Sequence, residues 1–163
     1  MFIVKRTALF ILSLALITGC RDPITLGNVS PVNLPAEIER ARTEQKLLLM
    51  EFGSSDSCPP CITLEQQVFS KKEFTDYAES NLVFVRLDFP FRSSLPPATQ
   101  ATNDLLAKKF GVEAFPTFVA LDGTGNEFWR MPAKNDPAPV LDGRIFEPKG
   151  FIQMIESVKQ KRP

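Results

Sequence analysis

The sequence contains no histidine, and this absence excludes several kinds of enzyme. A serine or cysteine nucleophile activated by histidine is impossible, and so is a metal site built on imidazole ligands. A general base would have to be a carboxylate, a lysine or the single tyrosine, Tyr77. Lysine plus arginine and aspartate plus glutamate number 19 each, so no net charge draws the chain to nucleic acid or to an anionic surface.

Cysteine is scarce, with three residues, and two of them form the Cys-X-X-Cys sequence Cys58-Pro59-Pro60-Cys61. The apolar run Leu47–Met50 shortly before this pair is typical of a buried strand. Proline is tolerated in the first turn of a helix, because the N–H groups there have no intrahelical partner. The two prolines therefore predict a helix that begins close to the first cysteine.

A position at the start of a helix would activate the sulfur of Cys58. Unpaired N–H groups and the positive end of the helix dipole favour the thiolate, which is the nucleophilic form. Cys61 follows one turn later, within reach of a disulfide, so the pattern favours a dithiol/disulfide exchange centre. Two alternatives stay open. One is half of a zinc site, which would need four ligands, and the other is a disulfide that only braces the start of the helix.

The N-terminus is typical of a bacterial export signal. Lys5 and Arg6 precede an apolar segment, residues 8–17, that is short for a membrane span. The next residues, Ile17-Thr18-Gly19-Cys20, resemble the lipoprotein signal, in which cleavage before the cysteine leaves Cys20 acylated. More than one acyl chain would anchor the mature protein stably, and export would place it where disulfides persist.

The segment after Cys20 has little periodicity and holds several proline, glycine and serine residues, which is typical of a tether. The sequence therefore predicts three parts, which are a signal peptide at 1–19, a tether at 20–33 and one domain at 34–163.

Hydrophobic periodicity in that domain predicts helices and strands in alternation. The predicted helices cover 35–46, 59–69, 98–110 and 149–161, with a further helix after a capping box at 70–73. The predicted strands cover 47–52, 82–89, 117–121 and 127–131. Strands separated by helices imply parallel pairing, and the last two strands form a hairpin. An α/β fold follows, with three layers (α/β/α) around a central mixed sheet of about four strands.

Residues 35–160 resemble the thioredoxin-like superfamily, in particular its exported members and the C-terminal domain of the disulfide reductase DsbD. The resemblance rests on Cys58–Cys61 between a strand and a helix, on Phe115-Pro116-Thr117 at the start of the third strand, and on the turn Asp122–Gly125. It implies a thioredoxin-like fold and a thiol–disulfide oxidoreductase that needs no cofactor besides its redox-active disulfide.

The resemblance also implies roles for single residues. A cis peptide bond before Pro116 would bring the backbone of Phe115 beside the two sulfurs, where an extended substrate can pair with it. Glu51 is similar to the buried acid of thioredoxins, and Glu65 is similar to a glutamate of the DsbD domain. Either carboxylate could accept the proton of Cys61 directly or through water.

The first turn of the helix after the strand would shape the rim of the site. Ser57 stands where relatives usually carry a tryptophan, and with Pro59 and Pro60 it would contact the substrate. We therefore expect a lipid-anchored monomer on the periplasmic side of the bacterial cell envelope that reduces protein disulfides. Its partners would be a protein thiol or disulfide and a membrane protein that donates or accepts electrons, without nucleic acid or metal. A thiol oxidase or isomerase and a non-catalytic binding module of the same fold stay open.

Overall fold

The computed structural model describes residues 24–26, 30–133 and 142–163. Its strands are β1 (Ile24–Leu26), β2 (Leu47–Gly53), β3 (Leu82–Asp88), β4 (Thr117–Leu121) and β5 (Glu127–Met131). Its α-helices are α1 (Leu34–Thr43), α2 (Pro59–Leu64), α3 (Lys72–Asn81), α4 (Pro97–Phe110) and α5 (Pro148–Lys159). A π-helical turn, Glu65–Phe69, follows α2, and a 3-10 turn, Gly143–Phe146, precedes α5.

The strands form a mixed sheet in the order β1-β3-β2-β4-β5. β3 pairs in parallel with both β1 and β2, whereas β4 is antiparallel to both β2 and β5. The helical crossovers explain the parallel pairs, and the direct turn from β4 to β5 explains the antiparallel pairing of those two strands. β2 lies at the centre, and all seven of its residues are buried.

The predicted α/β fold is confirmed, with each predicted strand in place and a further strand at the edge of the sheet. That strand, β1, lies inside the segment 20–33 that was predicted as a tether. Ile24 pairs with Phe84 of β3, and Val32 is buried at 7% exposure, so this part of the segment belongs to the domain. The correction has a physical reason. Three residues are too few to show a periodic pattern, and the open edge of β3 decides that they pair.

Side chains that alternate along the strands feed two hydrophobic cores, one on each face of the sheet. On one face, Leu49 of β2 and Phe84 of β3 pack with residues of α2, α3 and α5. On the other face, Met50 and Phe52 of β2 pack with residues of α1 and α4. By the same alternation, Glu51 of β2 belongs to the first face, beside α2.

The helix predicted at 59–69 is interrupted. After α2 the chain makes a π turn, in which the N–H of Ser70 donates to the carbonyl of Glu65 at 3.0 Å. Such turns are rare overall, but those that occur are often found at functional sites. The predicted capping box is wrong, because α3 begins after Lys71 without a side-chain cap. The hydroxyl of Ser70 instead donates to the carbonyl of Gln66 at 3.2 Å, so this side chain bonds to the preceding turn and does not cap α3.

Two segments lie outside the described residues, in whole or in part. The first is the signal peptide together with Cys20, and the second is 134–141 within the proline-rich stretch before α5. The described end of that stretch forms the 3-10 turn, whose Ile145 is buried in the first core. Within 24–26, 30–133 and 142–163, the helices are all too short or too polar to cross a bilayer.

The aromatic cluster that fixes α5 on the sheet gives a first prediction. Phe151 is fully buried, and its ring centroid lies 5.3 Å from those of Phe69 and Phe118 and 5.6 Å from that of Phe74. We expect Phe151→Ala to lower the free energy of unfolding by about 3–5 kcal/mol, since it removes an aromatic ring and leaves a cavity. Urea unfolding of the oxidised protein measures this.

A matched control is available on the surface. The side chain of Phe91 is 85% exposed, so Phe91→Ala should change the free energy of unfolding by no more than about 0.5 kcal/mol. Equal effects of the two substitutions would contradict the packing of α5 described here.

Candidate active site

The two cysteines lie at the start of α2, as predicted. Cys58 is the N-cap residue, and its sulfur accepts the N–H of Cys61 at 3.3 Å. The two sulfurs form a disulfide, with the Cα atoms 5.3 Å apart. Both cysteines are buried, with exposed fractions of 8% for Cys58 and 4% for Cys61. Within the described ranges, no group of three or more cysteine, aspartate or glutamate side chains could hold a metal ion.

A buried carboxylate lies beside the second sulfur. Glu51 of β2 is only 2% exposed. A Cβ atom built on Gly53 would lie 3.2 Å from Oε1 of Glu51 and 3.3 Å from Sγ of Cys61. The carboxylate and the sulfur thus border the same small space, which the missing side chain of Gly53 leaves open. The structure brings together the acid and the cysteine that the sequence paired, while the catalytic role of Glu51 stays a prediction.

Glu51 is paired with an arginine that the sequence analysis did not single out. Arg86 of β3 lies opposite Glu51 in the parallel register, and its Nε donates to Oε2 of Glu51 at 2.5 Å. The same guanidinium donates to the carboxylate of Glu65, and it lies 4.7 Å from the ring centroid of Phe69. The sequence did offer one signal for this residue, since it is the one arginine inside the apolar strand 82–87. Its partner could not be predicted, because that depends on the register between β2 and β3.

The environment of this charge cluster shifts two ionisation equilibria. Burial raises the pKa of Glu51, and the positive charge of Arg86 limits that rise. For Arg86, burial acts to lower the pKa, but the Glu51 and Glu65 carboxylates outweigh it and raise that pKa. Arg86 therefore stays charged, while Glu51 is a stronger proton acceptor than an ordinary carboxylate.

A cleft of about 400 Å³ gives solvent access to the cluster, and its walls include Cys61, Glu65 and Arg86. Asp88, at the end of β3, forms another part of the wall. Its carboxylate accepts the N–H of Ser55 at 2.8 Å and the hydroxyl of Ser55 at 2.7 Å. These bonds tie the end of β3 to the loop that carries the cysteines, so the cleft has a fixed wall on the Cys61 side.

The peptide bond before β4 that the resemblance implied to be cis is cis. The peptide bond between Phe115 and Pro116 is cis, and Pro116 is buried. The next residue, Thr117, pairs with Phe52 on β2, the strand that leads to the cysteines. Phe115 is 39% exposed, and its ring stacks on that of Phe89 with 5.1 Å between centroids. Contact between the backbone of Phe115 and a substrate stays a prediction.

The other predicted rim residues surround Cys58 at the surface. Ser57 and Pro59 are exposed, and Pro60 is half-buried. The hydroxyl of Ser57 lies 2.7 Å from that of Ser54, which is a hydrogen bond within the same loop. These side chains are accessible next to the first sulfur, and their contact with a substrate stays a prediction.

An aspartate that the sequence analysis passed over fixes the neighbouring loop. The carboxylate of Asp56 accepts the backbone N–H groups of Phe91 at 2.8 Å, of Arg92 at 2.8 Å and of Ser93 at 3.1 Å. These bonds, led by the one from Phe91, lower the pKa of Asp56. Nothing in the sequence distinguished this residue from an ordinary polar turn residue, because its partners are about 35 positions away.

A three-layer α/β fold with a Cys-X-X-Cys disulfide at the start of a helix defines a thiol–disulfide oxidoreductase. Comparison with known families agrees, since the profile of the thioredoxin-like domain family matches residues 34–142. The chain belongs to the thioredoxin-like domain family. The resemblance stated from the sequence is thereby confirmed.

Individual relatives extend this comparison. A curated relative, the disulfide bond reductase DsbH of Chlamydia pneumoniae, is 27% identical over 137 residues, which are 84% of this chain and 75% of the relative. A solved structure of a DsbH oxidoreductase matches with a TM-score of 0.63 and 24% identity, covering 83% of this chain and 87% of the other. The oxidised C-terminal domain of Neisseria meningitidis DsbD matches with a TM-score of 0.47 and 15% identity, covering 76% and 90%.

The raised pKa of Glu51 predicts a pH effect on stability. Because burial raises this pKa in the folded protein, ionising Glu51 costs free energy as the pH rises from about 4.3, the ordinary glutamate value, through the folded-state pKa. The free energy of unfolding of the wild type, minus that of Glu51→Gln, should therefore fall across this window. The steepest slope expected is about 1.4 kcal/mol per pH unit. Urea unfolding of the oxidised proteins at a series of pH values measures it.

Asp56→Asn is a control for which we expect the opposite pH dependence of stability. Its backbone partners lower the pKa of Asp56, so its contribution is present above the ordinary aspartate value and is lost as the pH falls through the folded-state pKa. The difference between wild type and Asp56→Asn should therefore rise with pH. A difference for Glu51→Gln that also rises would show that the pairing with Arg86 outweighs burial.

Proposed function

We propose that this protein reduces protein disulfides outside the bacterial cytoplasm, using Cys58 and Cys61 as its dithiol. One observation carries the proposal, namely that the buried Glu51 carboxylate borders the Cys61 sulfur at the start of α2. That arrangement suits release of a mixed disulfide, because the second cysteine must lose its proton before it can attack. The relative from Chlamydia pneumoniae, which is called a disulfide bond reductase, supports the same direction.

The proposed reaction is a two-electron exchange. In the reduced protein the Cys58 thiolate attacks one sulfur of a substrate disulfide, forming a mixed disulfide and releasing the other substrate sulfur as a thiolate that takes up a proton. The Cys61 thiol then gives up its proton, and its sulfur attacks that of Cys58. The second substrate sulfur leaves as a thiolate that takes up a proton, and the Cys58–Cys61 disulfide remains. The substrate disulfide has been reduced to two thiols, and the protein dithiol has been oxidised.

Glu51 is the proposed proton acceptor for Cys61. Its carboxylate borders the sulfur across the space left open at Gly53, and its raised pKa makes it a good acceptor. Glu65 lies at the rim of the cleft and shares Arg86 with Glu51, so it would pass the proton between cleft and solvent. If Glu51→Gln resolves mixed disulfides at the wild-type rate, this assignment is wrong.

Substrate binding is proposed for the exposed rim of the site. The Phe115 backbone before the buried Pro116 would pair with an extended segment of the substrate. Ser57, Pro59 and Pro60 would contact the segment on the side of the nucleophile. We infer that the small side chain of Ser57 would let a bulky substrate residue approach this side of the site.

A reductase that is oxidised in each cycle needs an electron donor. We propose a membrane protein that presents a dithiol on the outer face of the cytoplasmic membrane. Its thiolate would attack the Cys58–Cys61 disulfide and restore both thiols, while its own two cysteines become a disulfide. The protein itself would act as a monomer, because each exchange step requires one chain and one partner.

Anchoring through an acylated Cys20 on the periplasmic side of the cell envelope completes the proposal. It is supported by the lipoprotein-like sequence Ile17–Cys20. Since β1 begins at Ile24, the four intervening Cα–Cα steps span at most about 15 Å. The lipid would then hold the edge of the sheet close to the bilayer, which is a shorter connection than the tether expected at 20–33.

The central test is turnover of a protein disulfide with dithiothreitol as electron donor. Cys58→Ser should abolish turnover above the rate of the reductant alone, since it removes the nucleophile. Cys61→Ser should instead accumulate mixed disulfides on Cys58, which non-reducing gels and mass spectrometry detect. If Cys58→Ser retains activity, or if mild reductant does not reduce the disulfide, the proposed reaction is wrong. The remaining hypothesis would then be a non-catalytic binding module of this fold.

The direction of the reaction has its own measurement. A reductase should have a reduction potential near that of thioredoxin, about −270 mV, when equilibrated with a dithiol of known potential. A value close to that of a strong oxidant, about −120 mV, would favour a thiol oxidase.

The lipid anchor predicts a change in cell fractionation. Expressed as the full chain in a bacterium, the wild type should appear in the membrane fraction and incorporate labelled fatty acid, whereas Cys20→Ala should incorporate none. Cys58→Ser is the matched control and should stay acylated, because its cysteine lies outside the signal. Acylation that persists in Cys20→Ala would contradict this assignment.

A further inference from the structure

One aromatic side chain near the cysteines is left in solvent. Phe91 is 85% exposed, and it follows the end of β3 by three residues. An aromatic side chain in water is unfavourable, and aromatic residues are enriched in the cores of protein interfaces. The position of this ring relative to the active site therefore decides what it can do.

The backbone that carries Phe91 is held in place. Its N–H donates to Oδ1 of Asp56 at 2.8 Å, and the N–H groups of Arg92 and Ser93 donate to Oδ2 at 2.8 and 3.1 Å. The hydroxyl of Ser54 also donates to Asp56, at 3.3 Å. The loop therefore presents its aromatic ring from a fixed backbone, and a partner pays little ordering entropy when it binds there.

The same bonds tie the loop of Phe91 to the segment that carries Cys58. Asp56 precedes Cys58 by two residues, which span at most about 7 Å. Two or three residues of an extended polypeptide cover about 7–10 Å. A substrate whose cysteine sulfur reaches Cys58 therefore extends, two or three residues away, over a distance comparable to that between Cys58 and Asp56, the residue that anchors the loop of Phe91.

The loop is also continuous with the other side of the site. The Phe89 ring stacks on that of Phe115, with 5.1 Å between centroids, and packs at 6.4 Å from the ring of Phe52 in the core. The N–H of Phe89 donates to the carbonyl of Gly53 at 2.8 Å, which prolongs the pairing of β2 and β3. The exposed rings of Phe91 and Phe115 thus belong to one rigid unit at the site of exchange.

We propose that Phe91 determines specificity by binding an apolar side chain two or three residues from the substrate's reactive cysteine, with Asp56 as its positioning residue. The inference rests on the proposed exchange reaction and names its substrate class: extended or unfolded polypeptides whose disulfides are flanked by apolar residues. Such segments are buried in folded proteins, so the protein would favour disulfides in chains that have not folded.

Two synthetic peptides with the same intramolecular disulfide test the proposal. They differ only three residues from the attacked cysteine, where one has leucine and the other serine. The measured quantity is the ratio of kcat/KM for the leucine peptide to that for the serine peptide, with the full-length protein and dithiothreitol. We expect a ratio of about 10 for the wild type, equivalent to about 1.4 kcal/mol. Phe91→Ser should lower it to about 1, and Phe91→Leu should keep most of it.

Two further variants make the result specific. Leu105→Ser removes another exposed apolar side chain, 68% exposed on α4, and should keep the wild-type ratio because Leu105 lies outside the loop. Asp56→Ala should lower the ratio as Phe91→Ser does, since it frees the loop backbone. Asp56→Ala could also change the reactivity of the thiol. Because both peptides react with the same sulfur, such a change alters both kcat/KM values equally and leaves their ratio unchanged.

Each outcome has a defined meaning. If the wild type turns over neither peptide, the proposed function fails. If it turns over both with a ratio near 1, or if Phe91→Ser keeps the wild-type ratio, the proposed function stands and this inference is overturned. An equal fall in Leu105→Ser would also overturn it. Loss of a dimer, or of binding to phospholipid vesicles, in Phe91→Ser with the ratio unchanged would assign the ring to self-association or to the membrane instead.

Discussion

The pairing of Glu51 with Arg86 is the constraint on which the rest of the site depends. A carboxylate at 2% exposure in the central strand is costly unless a partner compensates it, and removing one member of such a pair is strongly destabilising. Arg86 meets that need from the adjacent parallel strand and also contacts Glu65 after α2. One guanidinium thus holds a buried and an exposed carboxylate around the second cysteine, and the sheet register cannot shift without separating them.

The same register explains why the residues of the candidate site lie at one end of the sheet. β2 carries Glu51 and leads to the cysteine loop, β3 carries Arg86 and leads to the loop with Phe89 and Phe91, and the chain before β4 carries Phe115 and its cis proline. Hydrogen bonds from Ser55 to Asp88 and from Phe91 to Asp56 tie these loops to each other. The exchange centre is therefore set on a rigid frame, which favours the precise approach of sulfur to sulfur that disulfide exchange requires.

Several features of the fold followed from local pattern, and the misses have identifiable causes. The strands β2 to β5 and the start of α2 at Cys58 could be predicted, since long apolar runs and paired prolines are strong signals. β1 was missed because its three residues become a strand only beside the open edge of β3. The break after α2 was missed because Leu64 and Val68 fit a continuous helix equally well, and only packing against the sheet selects the π turn.

The sequence by itself determined which residue types are available to the site: two cysteines at helical spacing, no histidine, and acids at positions 51 and 65. These follow from residue type and short-range spacing, which a linear chain displays directly. Only the tertiary structure decided which groups meet. It placed Arg86 between the two acids, left Gly53 as the gap between carboxylate and sulfur, and tied the loop of Phe91 to the cysteine loop through Asp56. Those relations depend on strand register and loop contacts between residues far apart in the chain, and no local pattern encodes them.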